Sequence, residues 1–193
     1  MHQLELRRQI LHLLYGPLLI LLYDRGILSL PLLGMLIVIG ACTSYLIWRR
    51  QLNWVAKVLA VFERPHHLEK FPGRGILFFT IGATLSLALF EKSMAFAGIM
   101  VLSVGDSVSN IVGRHWGRIK TWINPEKSLE GTVLGILTAT PAAYWFFPHW
   151  PAVFAASTIA MLLEIPRLRL FGCEIDDNLI IPIVASLTLK LFT

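Results

Sequence analysis

The stretch from Gly105 to Gly135, GDSVSNIVGRHWGRIKTWINPEKSLEGTVLG, decides how this chain is read. Ser103, Asp106, Asn110, Gly113 and Gly117 recur at steps of three and four, so in a helix they share one face. That face carries an acid, an amide and two glycines between two apolar runs, and such a face is not built to pack against lipid. Further on, Asn124-Pro125-Glu126-Lys127 sets an asparagine before a proline, the pattern of an N-cap and a first helical position. A helix is expected to start there, with Lys127 in its first turn and Gly131 and Gly135 following at steps of four. Its open amides would then face a phosphate.

Outward from that stretch the chain is greasy. It has 193 residues, of which 55% are hydrophobic and 15% charged, and its mean hydropathy is +0.66. An ordinary soluble domain is far more polar, so the expected class is all-α: a polytopic integral membrane protein. Seven apolar stretches can be drawn: Ile10 to Tyr23, Ile27 to Trp48, Gly75 to Phe90, Met94 to Val112, Leu129 to Phe147, Ala152 to Ile165 and Leu179 to Phe192. Several fall short of the roughly 20 residues that cross a bilayer upright. No internal repeat or low-complexity tract divides the chain, so residues 1–193 read as one domain. Cys42 and Cys173 form no CxxC pair and suggest neither a disulfide framework nor a zinc site. The arginine-bearing N-terminus runs into the first span with no small-residue cleavage site, so that span is expected to be retained.

Charge orients this path. With the N-terminus in the cytoplasm, Arg7, Arg8, Arg49, Arg50, Lys57, Arg64, Lys70, Arg74, Arg114, Arg118, Lys120, Lys127, Arg167 and Arg169 fall on the cytoplasmic side. Only Arg25, Lys92 and Lys190 fall outside. The positive-inside bias accounts for the net charge of +5 without any nucleic-acid partner. Residues 49–74 differ from the spans: Leu52, Val55, Leu59 and Phe62 make an apolar stripe among Arg49, Arg50, Lys57 and Arg64. An amphipathic segment on the inner leaflet is expected, ended by the Phe71-Pro72-Gly73 break.

The same topology brings Glu5, His12, Asp106, Asn110, Lys127, Glu130, Glu164, Asp176, Asp177 and Asn178 to one bilayer face. A carboxylate near hydrocarbon is costly unless a cation, a metal or hydrogen bonds compensate it. Each residue also has a plainer structural reading. Glu130 can pair with Lys127, Glu164 can neutralise Arg167 or Arg169, Asp176-Asp177-Asn178 can cap a helix, and Gly113 with Gly117 can form a helix contact. His12 can be a helix-contact residue, and His66, His67 and His149 read as incidental. Held together, these carboxylates and a lysine supply oxygen ligands for Mg²⁺ and a cation for a nucleoside triphosphate. No GxxxxGK[ST] sequence and no protein-kinase signature set occurs.

Over most of its length the chain resembles the CTP-dependent lipid kinases, the family of dolichol kinase, phytol and farnesol kinases and a CTP-using diacylglycerol kinase. The resemblance is carried by Glu5-Leu6-Arg7-Arg8 with His12. It continues with Gly105-Asp106, Asn110, Gly113, Gly117 and Lys120, then Lys127-Ser128-x-Glu130-Gly131 with Gly135. It ends with Glu164 followed by Asp177-Asn178 and Pro182. The chain lacks the long additional membrane region of dolichol kinase, so that member's substrate does not carry over. The resemblance implies a kinase that phosphorylates a lipid hydroxyl with CTP and Mg²⁺. Asp106, Lys127, Glu130, Glu164 and Asp177 are then the catalytic candidates, with Asp106, Glu130 and Asp177 toward the metal. Asn110, Gly113, Gly117, Lys120, Lys127, Ser128 and Gly131 fall toward the nucleotide, and Arg8, His12 and Asn178 toward the lipid or proton transfer.

A related pattern occurs in CDP-diacylglycerol synthases. This chain has Asp176-Asp177-Asn178 in place of their Asp-Arg-x-Asp-type segment, which favours the kinase over a CDP-lipid synthase. An ion-coupled transporter, with Asp106 and Glu164 on a cation path, is the second alternative. It is disfavoured because such carriers show paired repeats.

Overall fold

The computed structural model describes residues 2–166, 168–170 and 173–193. These are helical but for loops and one two-residue antiparallel pairing. The order is α1 (His2–Asp24), α2 (Leu30–Trp48), α3 (Asn53–Leu59), α4 (Pro65–Lys70), α5 (Arg74–Leu89) and α6 (Lys92–Met100). Helix α6 runs through a π-helical segment (Val101–Asp106) into α7 (Ser107–His115), and α8 (Leu129–Tyr144) and α9 (Trp150–Leu163) follow. Strands β1 (Arg169–Leu170) and β2 (Cys173–Glu174) pair Arg169 with Glu174 and Leu170 with Cys173, and α10 (Asp177–Lys190) closes the order. Local chemistry sets several starts: prolines occupy the first turns of α2, α4 and α9, while Ser128 and Asp176 cap α8 and α10 with their side chains.

The continuous rod Lys92–His115 is the axis of the molecule, 78% of its most apolar window being buried. Helix α8 packs along α7 and the π-helical segment, α1 lies against the same two elements, and α10 fits among α5, α6 and α9. Helix α2 leans on α5 from outside, with only 17% of its window buried. Each of the seven apolar stretches coincides with one helix or with the rod. Among the described residues, however, only Leu30–Trp48 and Lys92–His115 are long and apolar enough to cross a membrane by that measure.

The core mixes large side chains such as Phe79 and Leu102 with many small ones, and the surface is rich in large apolar ones. Ala83, Ala95, Ala97, Ala139, Ala143, Ala156, Ala160 and Ala185 have no exposure, whereas Leu14, Leu18, Met35, Val38, Val133, Leu137 and Phe154 are about half exposed. Water would penalise that arrangement, and hydrocarbon tolerates it, because helices in lipid associate through close backbone packing. All six tryptophans are exposed, five near helix ends and Trp122 in the loop between α7 and α8. Trp48, Trp54, Trp116 and Trp122 lie toward one end of the bundle, and Trp145 and Trp150 toward the other, as interfacial aromatic belts do.

Candidate active site

The helix expected at Asn124-Pro125 does not start there. Asn124 Oδ1 accepts from the Glu126 amide at 3.2 Å, and its carbonyl accepts from the Lys127 amide at 3.0 Å, so the asparagine closes a turn instead of capping a helix. The chain then bridges Lys120 with Ser128 and enters α8 at Leu129, where Ser128 Oγ accepts from the Gly131 amide at 3.1 Å. Lys127 therefore sits on the loop before the helix, not in its first turn.

From that loop Lys127 reaches into a polar cluster on the rod. Asp106 is the last residue of the π-helical segment, a local widening common at functional sites. One turn on, Asn110 Nδ2 donates to Asp106 Oδ1 at 2.6 Å, while Asn110 Oδ1 accepts from Lys127 Nζ at 3.2 Å. The ammonium lies 3.7 Å from Asp106 Oδ1 and is paired with Glu164 Oε1, at the end of α9. His12 Nε2 lies 3.5 Å from Asp106 Oδ2, its ring held edge-on by Phe79 at 4.8 Å. Asp106 and Glu164 are 7% and 3% exposed, so two buried carboxylates share one lysine. Among the described residues, Glu164 Oε2 and His12 Nε2 have no hydrogen-bond partner.

This cluster forms part of the wall of a cavity of about 390 Å³. Of the residues singled out in the sequence, Arg8, His12, Asp106, Asn110, Lys127, Glu164, Asp176, Asp177 and Asn178 line it. Asn178 is held there by donating to the Gly75 carbonyl at 3.2 Å. Others are elsewhere. The Glu130 carboxylate accepts from the amides of Arg118 and Ile119 at 2.9 and 3.0 Å, so it braces the loop before α8 and is absent from the cavity wall. Lys120 Nζ donates to the Gly113 carbonyl at 3.0 Å. Gly113, Gly117, Ser128 and Gly131 form a tight seam between the end of α7 and the start of α8. A Cβ on Gly131 would lie 2.5 Å from the Ser109 carbonyl oxygen, which explains the glycine without any phosphate. Of the two partners expected for Glu164, Arg167 and the side chain of Arg169 lie outside the described residues; the partner found is Lys127.

Sequence reasoning missed the far wall. Phe62, Glu63, Arg64, His66 and His67, from the amphipathic segment, cover the cavity, and Arg74 and Arg114 face it. The available signal was the density of basic and imidazole groups around Pro65. Glu5 fastens this cover: it pairs with Arg8 at 2.7 Å, Arg64 at 3.1 Å and Arg114 at 3.8 Å, and accepts from Gln9 at 3.1 Å. Burial pushes the Glu5 carboxyl up, but the three guanidiniums outweigh it and hold the group below the ordinary value. Burial raises Glu63 despite the Gly73 amide at 2.6 Å, and raises Asp176 despite its 2.8 Å pair with Arg74. Burial, with the neighbouring His66, Arg64 and Arg74, brings His67 down to about 4.

No three His, Cys, Asp or Glu side chains gather into a metal cage among the described residues. Mg²⁺ does not need one, since it is commonly held by one or two carboxylates together with substrate phosphates. Asp106, Asp177 and Glu164 all line the cavity, and Glu164 keeps an unpartnered oxygen, a donor set that fits that requirement.

Fold and site thus define a helical, membrane-type protein with a charged, substrate-sized cavity at one end of its bundle. The chain is 32% identical over 186 residues to an uncharacterized protein of Methanocaldococcus jannaschii, covering 94% of this chain and 91% of the other, and it belongs to one family with that protein. It is 31% identical over 140 residues to CTP-dependent diacylglycerol kinase 1 of Schizosaccharomyces pombe, covering 64% of this chain and 62% of that one. It is 23% identical to the Saccharomyces cerevisiae protein of the same name, covering 95% and 71%. At 23–31% identity its homologues are lipid kinases named for diacylglycerol, phytol and dolichol, which supports the family resemblance and a membrane location. No family model matches the chain, and no solved structure matches it.

Proposed function

We propose that this chain is a polytopic membrane kinase of seven spans that transfers the γ-phosphoryl group of CTP to the hydroxyl of a lipid alcohol, at a site facing the cytoplasm. The observation that carries this reading is Lys127 held between Asp106, Asn110 and Glu164 in the wall of a cavity that joins one end of the helix bundle. Kinase names among the homologues support the reaction class and CTP as donor. The basic residues at the cavity end support the orientation.

Phosphoryl transfer asks a protein mainly for positioning and charge neutralisation. Lys127 takes the triphosphate oxygens, with Arg8, Arg74 and Arg114 around the same space. Asp106 and Asp177 would hold Mg²⁺, which when bound neutralises charge on the phosphates. The lipid oxygen attacks the γ-phosphorus in line, the new O–P bond forms as the bond to the β-phosphate bridging oxygen breaks, and CDP leaves. The hydroxyl proton passes to Glu164, whose Oε2 is buried without a hydrogen-bond partner among the described residues.

The test uses purified protein with CTP labelled at either the α- or the γ-phosphate and a panel of lipid alcohols or phosphatidate. Only γ-label entering the lipid is expected. Entry of α-label with release of diphosphate would replace the kinase with a CDP-lipid synthase.

A further inference from the structure

The cations of the cavity wall are not neutralised evenly. Arg74 is paired with Asp176 at 2.8 Å, and Lys127 is shared by Asp106 and Glu164. One corner is different. Arg8, Arg64 and Arg114 all meet the single carboxylate of Glu5, at 2.7, 3.1 and 3.8 Å, and among the described residues no second carboxylate forms an ion pair with any of them. Glu63, the buried acid next to Arg64, is turned to the Gly73 amide at 2.6 Å. Three positive charges therefore meet one negative charge.

The three arginines line the cavity, whereas Glu5 does not. Their side chains are 30%, 26% and 36% exposed. Each guanidinium carries five N–H donors in a planar fork and Glu5 has two oxygens, so most of those donors are left over. Two of the three arginines stand on a fixed frame. The Ser107 hydroxyl donates to the Gln9 carbonyl at 3.2 Å and the Ser103 hydroxyl to the His12 carbonyl at 2.9 Å, which pins α1, with Arg8, to the rod that carries Arg114. Arg64 instead rides on the cover, between α3 and α4, and neither of those helices has a buried residue.

We propose that Arg8, Arg64 and Arg114 form a seat for the diphosphate portion of the nucleotide, and that Arg64, by binding it, fastens the cover over the occupied cavity. The proposal deepens the kinase reading and rests on it for the reaction, though not for binding of a diphosphate. Guanidinium forks match phosphate oxygens two at a time, and a diphosphate brings the negative charge that this corner lacks. Arg8 precedes His12 by four residues, about 6 Å along α1, and His12 lies 3.5 Å from Asp106. The seat is thus one turn from the cluster of Asp106 and Lys127, toward the amino-terminal end of α1. A lipid hydroxyl arrives from the bilayer, so the phosphate it attacks takes the deeper place beside Lys127. The two phosphates that leave with the nucleoside take the outer place, among the arginines.

The test measures binding of CDP, CMP and inorganic pyrophosphate to the full chain in nanodiscs without a lipid acceptor. CDP and pyrophosphate should bind, and CMP should bind about tenfold or more weakly, the scale of one charge-assisted hydrogen bond. Arg64→Gln and Arg114→Gln should each weaken binding of CDP by about tenfold or more and leave that of CMP within a few-fold, which shows the fold intact. Arg118→Gln, at an exposed arginine outside the cavity wall, should bind CDP as the native chain does. Pyrophosphate should also slow amide hydrogen exchange across residues 53–70 of the native chain and not of Arg64→Gln. CMP bound as tightly as CDP, full CDP affinity in both cavity variants, a loss of CMP as deep as that of CDP, an equal loss in Arg118→Gln, or cover exchange that pyrophosphate leaves unchanged would overturn the proposal. Transfer of γ-label from CTP to lipid is measured alongside. CDP affinity that depends on the arginines, without transfer, upholds the seat and removes the kinase reading. Transfer with CDP affinity that ignores the arginines removes the seat and keeps the kinase.

Discussion

Lys127 and Glu164, 37 residues apart, form an ion pair in which the lysine side chain is 12% exposed and the glutamate 1%. Breaking a buried pair on one side leaves an uncompensated charge, at a cost of about 3–5 kcal/mol. Lys127→Met should therefore lower thermal stability. Adding Glu164→Gln should recover much of that stability without recovering phosphoryl transfer. Melting curves and transfer rates of the two variants check this, and recovery of both together would make the lysine a structural strut only.

Asp106→Asn keeps the shape of the side chain and leaves an oxygen to accept from Asn110, so the variant should fold. Its transfer rate should fall by about a hundredfold, the scale of losing one group that stabilises the transferring phosphate. Chelation of divalent cations should abolish transfer by the native protein, with Mg²⁺ restoring it, and a magnesium titration should show a raised requirement in the variant.

Glu130 braces the amides of Arg118 and Ile119. A glutamine oxygen can accept the same bonds, so Glu130→Gln should keep transfer within a few-fold of native while Glu130→Ala, which loses them, lowers the melting temperature. Loss of transfer in Glu130→Gln as deep as in Asp106→Asn would return this carboxylate to the metal.

Glu5 and His67 make stability fall as pH drops, whereas the raised Glu63 carboxyl works the other way. The Glu5 carboxyl lies below its ordinary 4.5 in the folded chain, so its stabilisation is present above that value and is lost as pH falls through the lower folded one. His67 stays neutral in the fold down to about 4, while an unfolded chain protonates it near 6.5. Stability accordingly falls as pH drops between those two values. Melting in detergent from pH 7 to pH 4 should show a shallower decline for His67→Gln, and Glu5→Gln should flatten only the most acid part of the curve.

Much of the site was legible because position along an up-and-down helical chain determines which end of the bundle a residue reaches. Arg8, His12, Asp106, Lys127, Glu164 and Asp177 are far apart in sequence, yet the path of seven apolar stretches carries all of them to one cavity. Details that turn on competing local bonds were not legible. Asn124-Pro125 carries the signature of a helix start, but the asparagine bonds within a turn and leaves the capping to Ser128. The steps of three and four through Ser103 and Asp106 assume an α-helical period, and the π-helical segment leaves no mark in residue type. The spaced glycines read equally as phosphate contacts or as packing, and only the close approach of Gly131 to Ser109 separates the two. His66 and His67 lie on a segment whose amphipathic pattern reports a membrane surface and says nothing of what lies beneath it.

The central claim is most directly tested by incubating purified native chain, Asp106→Asn and Lys127→Met with γ-labelled CTP, Mg²⁺ and a long-chain alcohol, then counting label in the extracted lipid. The account predicts labelled lipid from the native chain and almost none from either variant. Native-level labelling by both variants, or no labelled lipid from the native chain with any alcohol offered, would contradict it.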